Sequence, residues 1–259
     1  MRLAMGVEYD GSPFHGWQRQ KDGVATVQDR VERAISRVAD HPVSVLCAGR
    51  TDTGVHGLGQ VIHFDTPSTR SYRSWLLGTN VNLPHEINLT WVKEVADTFH
   101  ARFSAVNRRY RYIILNRDLR SAIWNKRAVW IHHPLDAERM HEAAQALVGT
   151  HDFSSYRALG CQAKSPVKNI IHLKVTRRED QVIIDIKANA FLHHMVRNIA
   201  GVLISVGKGD KPISWSEQVL DYRDRTLGGV TAPPDGLYLM EVGYPPEFEL
   251  PQKTASNYP

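Results

Sequence analysis

The run Ala48-Gly49-Arg50-Thr51-Asp52-Thr53-Gly54-Val55-His56-Gly57 decides how the rest of the chain is read. Before it, Val43-Ser44-Val45-Leu46-Cys47 is apolar and β-branched, as suits a short buried strand; after it, Gln60-Val61-Ile62-His63-Phe64 suits a second. Glycines at 49, 54 and 57 permit turns and close approaches that a Cβ would forbid. A strand, a glycine-rich turn and another strand place Asp52 on a loop at a sheet edge, where a rigid scaffold can present a reactive side chain. Asp52 is the only carboxylate between Asp40 and Asp65, so paired-carboxylate chemistry has no local partner. Arg50, two residues away, would favour the ionised form. An ionised carboxylate beside cations serves as nucleophile, electrostatic stabiliser or structural ion pair. Asp between two threonines is also ordinary Asx-turn material, so the run alone leaves turn and active site open.

Upstream, Leu3 to Tyr9 reads as a strand running into the turn formers Asp10-Gly11-Ser12-Pro13. Phe14-His15-Gly16-Trp17-Gln18-Arg19-Gln20 interleaves aromatics, amides and a cation, the material of a folded loop or of a surface for unstacked bases. Thr26-Val27-Gln28-Asp29 has capping-box spacing, and Val27, Val31, Ala34, Ile35 and Val38 continue at helical period towards Asp40. Downstream, Tyr72 to Leu77 reads as a helix broken by Gly78 and Pro84, and residues 87–103 alternate as a strand.

The second part of the chain has a similar outline. Arg109 to Leu115 alternates as a strand, and Asp136 to Leu147 has helical spacing at Met140, Ala143, Ala144 and Leu147. Ile170 to Val175 and Val182 to Ala188 flank Arg177-Arg178-Glu179-Asp180 as a hairpin; Phe191 to Val206 reads as a helix and Gly236 to Val242 as a last strand. The expectation is two mixed α/β halves, 1–105 with the Asp52 loop and 106–244, followed by a loosely attached polar tail, 245–259.

Composition limits the chemistry. Hydrophobic content of 42% and charged content of 23% are those of a globular protein. The net charge of +5 invites an acidic partner, and it is unevenly placed: residues 102–127 hold eight Arg or Lys against the single Asp118. Two cysteines, Cys47 and Cys161, make neither a disulfide framework nor a cysteine-rich metal site. No apolar run approaches membrane-spanning length, so no membrane association is expected and the cytoplasm is the expected location.

Four further patterns bear on function. Asp52-Thr53-Gly54 matches the aspartic-protease triplet, but that chemistry needs a second such acid to share a proton, and there is no second copy. His141-Glu142-Ala143-Ala144-Gln145 misses the zinc-protease pattern at its fifth position, and neighbours in the pairs His132-His133 and His193-His194 point apart, so no metal is expected. Arg109-Tyr110-Arg111-Tyr112 puts two tyrosines on one strand face and two arginines on the other, which is core patterning or a means of stacking a base while meeting phosphate. Arg197 lies in an otherwise apolar helix with Gly201 one turn on; it must reach solvent or find a partner, and the lone acid Asp52 is one candidate.

Taken together, residues 49–56 with Tyr9-Asp10-Gly11, His15-Gly16-Trp17-Gln18, Arg109-Tyr110-Arg111-Tyr112, Met195-Val196-Arg197-Asn198 and Gly236-Leu237-Tyr238-Leu239 resemble the bacterial tRNA pseudouridine synthase A family, in the family's order over nearly the whole chain. The resemblance implies an α+β fold: two ferredoxin-like halves whose antiparallel or mixed sheets join into one extended sheet with helices on one face. It implies an isomerase converting uridine to pseudouridine at positions 38, 39 and 40 of the tRNA anticodon stem-loop, a homodimer, and no cofactor. Asp52 would be the essential catalytic aspartate, Tyr110 would stack on the target base, Arg197 would pair with Asp52, and Arg50 would meet the flipped-out nucleotide. The rival class is an RNA-binding protein without chemistry, which has no need of a lone aspartate flanked by Arg50 and Thr53.

Overall fold

The computed structural model describes residues 1–20 and 23–251, and these form two compact units, one from the described residues up to 106 together with 238–251 and one of residues 107–237. In chain order the first unit contains β1 (Arg2–Tyr9), α1 (Val27–Ala39), β2 (Leu46–Cys47), β3 (His56–Asp65), α2 (Tyr72–Asn82) and β4 (Ile87–Val95). The second contains β5 (Asn107–Asn116), β6 (Val129–Ile131), α3 (Ala137–Gln145), β7 (Gly149–Asp152), β8 (Val167–Arg178), β9 (Gln181–Ala188), α4 (Met195–Gly207) and α5 (Trp215–Tyr222). The closing strand, β10 (Leu237–Gly243), belongs from Tyr238 onwards to the first unit.

In the first unit β1 pairs antiparallel with both β3 and β4. The other edge of β3 is shared: β2 pairs with it antiparallel at Ile62 and His63, and β10 pairs with it in parallel at His56 and Gly57. The first six elements thus run β-α-β-β-α-β in the spatial order β4-β1-β3-β2, the ferredoxin-like plan. Alternation along β1 separates two cores. Leu3, Met5, Val7 and Tyr9 face the helices, packing with Val31 and Ile35 of α1 and Trp75 of α2. Ala4 faces the opposite side with Val61, Phe99 and Ala101.

The opposite face explains why the tail differs from its sequence reading. Phe248 meets the Phe99 ring edge-on at 5.1 Å, Leu250 packs into the same cluster, and Lys93 Nζ donates to the Glu249 carbonyl at 2.7 Å. Two apolar residues among polar neighbours cover a sheet face that would otherwise meet water. Residues 252–259, the remainder of that expected tail, lie outside the described residues.

Local rules account for most helix ends. Thr26 caps α1 by accepting from the Asp29 amide, as its spacing predicts, and Asp40 ends the helix at φ 59°, in the left-handed region. Helix α2 continues through Gly78 to Asn82; the glycine breaks nothing and instead lets the Val38 side chain of α1 come close. Asp136 caps α3 through two amides.

In the second unit the sheet runs β5-β9-β8-β7, all antiparallel, with β6 added in parallel to β5. The β8–β9 hairpin turns at Glu179 and Asp180, within the charged run that predicts it, with Glu179 at φ 51°. Helix α3 lies along β8, and α4 packs on β5 and α3. The α4 helix begins at Met195, four residues later than its apolar run predicts, because His194 is left-handed at φ 61°. Among the described residues no helix is long and apolar enough to cross a membrane.

Candidate active site

Residues 48–55 join β2 to β3, and almost every neighbour fixes their backbone. The Ala48 amide donates to the Val61 carbonyl at 2.8 Å, and buried Gln60 donates its Nε2 to the Gly49 carbonyl at 2.6 Å. The Trp17 amide donates to the Thr51 carbonyl, and the Tyr9 hydroxyl lies 2.8 Å from Thr51 Oγ1. The turn then closes from the Val55 amide to the Asp52 carbonyl at 3.1 Å, with Gly54 at φ 79° in the position where a turn of this kind favours glycine. A buried hydroxyl pair and three carbonyl anchors hold the turn from below, leaving the Asp52 side chain half-buried and Thr53 exposed.

Two glycines outside the loop are required for this arrangement. Gly16 sits at φ 82°, and a Cβ there would stand 2.9 Å from the Thr51 carbonyl oxygen. Gly11 lies against the Val55 carbonyl, where any side chain would collide. The Gly11 amide donates to Nδ1 of His56, whose ring stacks on Tyr238 at 4.5 Å. The dispersed segments Tyr9-Asp10-Gly11, His15-Gly16-Trp17 and Tyr238 therefore converge on one structural task, the support of the Asp52 turn.

Arg50 departs from the simplest reading. Its side chain is exposed, and among the described residues no ion pair joins it to the Asp52 carboxylate. Its charge is felt by Cys47, whose thiol burial pushes up to about 11 against the opposing pull of Arg50. Cys47 therefore stays protonated at neutral pH and is no nucleophile.

In the second unit the Arg-Tyr-Arg-Tyr strand sorts as its alternation predicts, with one surprise. Tyr112 is fully buried and its hydroxyl donates to the Pro233 carbonyl at 2.8 Å; burial keeps the phenol far above its ordinary pKa, so it remains protonated. Tyr110, two residues earlier on the same face, is half-buried and meets the Phe191 ring edge-on at 5.1 Å. The arginine face is a structural ion cluster. Arg109 binds Asp185 of β9 through two hydrogen bonds, 2.8 and 2.7 Å; Arg111 reaches it at 3.4 Å, and His172 Nε2 lies 2.9 Å away. Burial would raise the Asp185 carboxyl, but the Arg109 bonds and the charges of Arg109 and Arg111 outweigh it and lower its pKa. The phosphate-meeting role that the alternation allowed these two arginines gives way to this cluster.

Arg197, half-buried on α4, donates its Nε to the Ala232 carbonyl at 2.8 Å, and the Ala232 amide donates back to the Arg197 carbonyl at 3.1 Å. One turn on, Gly201 lies beneath the Val230 carbonyl, where a Cβ could not fit. Asn198 completes the frame: its Nδ2 donates to the Tyr156 carbonyl, and its Oδ1 accepts from Thr231 at 2.6 Å and Arg225 at 3.1 Å. The glycine that stands one turn from Arg197 in the sequence is thus the point where residues 230–232 cross the helix. Gln60, Arg225 and Thr231 escape sequence reasoning as clamps, and the partners of Tyr9, Thr51 and Asn198 do too, although those three lie in the quoted motifs, because polar residues carry no periodic signal for their partners.

Comparison with known proteins shows which family this sequence belongs to. The model of the tRNA pseudouridine synthase family matches residues 5–104 and 143–245. A tRNA pseudouridine synthase A of Nitrosococcus oceani is 58% identical over 252 residues, covering 97% of this chain and 97% of that protein. Proteins of the same name from Pseudomonas aeruginosa and Vibrio parahaemolyticus are each 56% identical, covering 97% of this chain and 88% and 95% of their own lengths. The chain belongs to the tRNA pseudouridine synthase family. Pseudouridine synthases are isomerases, and this chain's enzymatic class follows from its family.

Proposed function

We propose that this enzyme isomerises uridine to pseudouridine at positions 38, 39 and 40 of the tRNA anticodon stem-loop, with Asp52 as its essential catalytic residue. In this reaction the N1–C1′ bond breaks, a C5–C1′ bond forms, C5 loses its proton and N1 gains one. Atoms and oxidation state balance without an external reductant or oxidant, so no cofactor is assigned. One ionised carboxylate serves each route open to it: attack at C1′, addition at C6, or assistance to elimination at the sugar.

The observation that carries the reading is the investment in one turn. Tyr9, Gly11, Gly16, Trp17 and Gln60 all hold a backbone whose half-exposed product is a single carboxylate. A base in a stem is out of reach until it flips, at a cost of about a few kcal/mol. Stacking on Tyr110 returns about 1–3 kcal/mol of that cost. Arg197 and exposed Arg50 act as substrate-binding cations. The homodimer rests on the family resemblance, and the cytoplasmic location on the lack of a membrane-length apolar run in the sequence.

The test is tritium release from tRNA labelled at uridine C5, compared between wild type and Asp52→Asn, with substrates in which uridine is retained at only one of the three positions. Release from each by wild type and none by the variant, with tRNA binding intact, is the expected result. Release by Asp52→Asn at the wild-type rate would sink the catalytic assignment.

A further inference from the structure

The second unit carries a basic cavity that none of the roles above uses. It has a volume of about 330 Å³ and is lined by Arg157, Arg223 and Arg225, one acid, Asp224, and the turn Leu159-Gly160-Cys161. Asp224 accepts from the Thr226 amide and hydroxyl, both at 2.8 Å, which orient its carboxylate and keep it ionised, so the cavity holds three cations against one anion. Arg225 is immobilised by neutral partners, the Gly229 carbonyl at 3.0 Å, Thr231 Oγ1 at 2.9 Å and Asn198 Oδ1 at 3.1 Å. Among the described residues the side chains of Arg157 and Arg223 make no hydrogen bond and no ion pair.

The contrast with Asp185 gives this absence its meaning. Around β5 and β9 a shared carboxylate gathers two arginines. Close to this cavity Asp152 accepts from the Ser154 amide at 2.9 Å. Burial would raise the Asp152 carboxyl, but the Ser154 hydrogen bonds and the charges of Arg223 and Arg157 bring it below its ordinary range. Both guanidinium groups therefore act at a distance on Asp152 without being consumed by it.

The cavity is also built into the frame that holds Arg197. The Ala158 amide donates to the His193 carbonyl at 2.8 Å, the Tyr156 carbonyl accepts from Asn198 Nδ2 at 2.7 Å, and the same Asn198 accepts from Arg225. Arg223 is the C-terminal cap of α5, in the left-handed region at φ 49°. Three arginines lining one cavity against the single carboxylate of Asp224, two of them without a hydrogen bond or ion pair among the described residues, leave an excess of positive charge that fits an anion of phosphate geometry.

We infer that this cavity binds a backbone phosphate of the tRNA substrate, gripped by Arg157 and Arg223 beside the fixed Arg225, outside the residues assigned to the reaction. The inference rests on the tRNA reading above. It predicts a contact that contributes affinity and carries no base information, because phosphate contacts position and do not specify.

The experiment compares wild type with the double variant Arg157→Gln/Arg223→Asn; asparagine tolerates the left-handed backbone at 223. Filter binding of tRNA across a salt series and steady-state tritium release are measured on the same preparations. The expected result is a rise of about tenfold in Kd and KM with kcat retained, and a salt slope smaller by about 0.7–0.9 for the one phosphate lost. Arg157→Lys/Arg223→Lys keeps the charges and should keep most of the slope, which separates lost charge from lost folding. An unchanged Kd and slope in the Gln/Asn variant, with an active wild type, would overturn the inference and leave the proposed function standing. Inorganic phosphate that raises the Tm of wild type but not of that variant, with tRNA affinity unaltered, would mean a free-anion site and would also overturn it. A wild type that neither binds tRNA nor releases tritium would bring down the proposed function, and this inference with it.

Discussion

Asp52 and Asp185 are each an acid with an arginine close in sequence or in space, and the molecule uses them in opposite ways. Asp185 is met by two arginines and a histidine, its side chain only 13% exposed, so its charge is spent on joining β5 to β9. Asp52 has the heavier scaffold, but that scaffold grips the backbone of its turn through Trp17, Gln60 and Val55, together with the Thr51 hydroxyl. The cations around Asp185 make its carboxylate a fold-stabilising group, whereas the backbone bonds around Asp52 fix the place of its turn, as the proposed catalytic role requires. Proximity of charge in sequence does not tell the two apart. The orientation of the supporting bonds does.

The comparison is broken most sharply by exchanging each acid for its amide. On the proposed function, Asp52→Asn is expected to lower kcat/KM at least about a thousandfold while the isosteric amide keeps the fold, since it removes the proposed reacting group. A catalytically competent Asp52→Asn would erase the distinction. Next in size, Gly16→Ala forces a side chain into a φ of 82° beside the Thr51 carbonyl. We expect about 1–3 kcal/mol of lost stability and a fall of about 10- to 100-fold in kcat, because a displaced turn misplaces the carboxylate. Thermal melts and single-turnover kinetics on one preparation would show both, and an active Gly16→Ala would mean that the turn is less rigid than its bonds imply.

Asp185→Asn should show the mirror image of Asp52→Asn. Two arginines lose their shared carboxylate, which is expected to cost about 2–4 kcal/mol in denaturant unfolding with turnover retained within a few-fold. Because the folded carboxyl lies below its ordinary range, this stabilisation is present above the unfolded value of about 4 and is lost as pH falls through the folded value. A higher pH window belongs to His63. Burial first, then the charges of His100 and Arg2, lower its pKa from 6.5 to about 4, and its Nδ1 accepts from the Ala101 amide. The unfolded chain therefore binds a proton there that the folded protein refuses. Stability is full above pH 6.5 and should fall by up to about 3 kcal/mol as pH drops towards 4, a slope that His63→Gln should flatten. A stability profile flat across that window would show that His63 is accessible to protons in the folded state.

Much of this protein is legible in its sequence. Period-2 alternation locates β5, short apolar runs bounded by turn formers locate β1, β9 and β10, period 3.6 locates α1 and α3, and a charged tetrapeptide locates the β8–β9 turn, because such signals need only a few neighbouring residues. The lone acid in a glycine-rich turn is visible for the same reason. Short elements are not: β6, β7 and α5 are too brief for a period to emerge, and their existence depends on the surface they lie against. The apolar run places the start of α4 too early, because a left-handed His194 caps the helix at Met195 where composition alone would begin it at Phe191.

Tertiary structure decides which charges are spent and which are kept. Nothing in Arg109-Tyr110-Arg111 says that Asp185 waits across the sheet, and nothing in Gly16 or Gly201 says that a carbonyl from a distant segment lies above it. Local sequence sets backbone preference and facial pattern, which are short-range properties of the chain. Pairing of polar groups is settled by long-range register, where one residue of shift would change every partner.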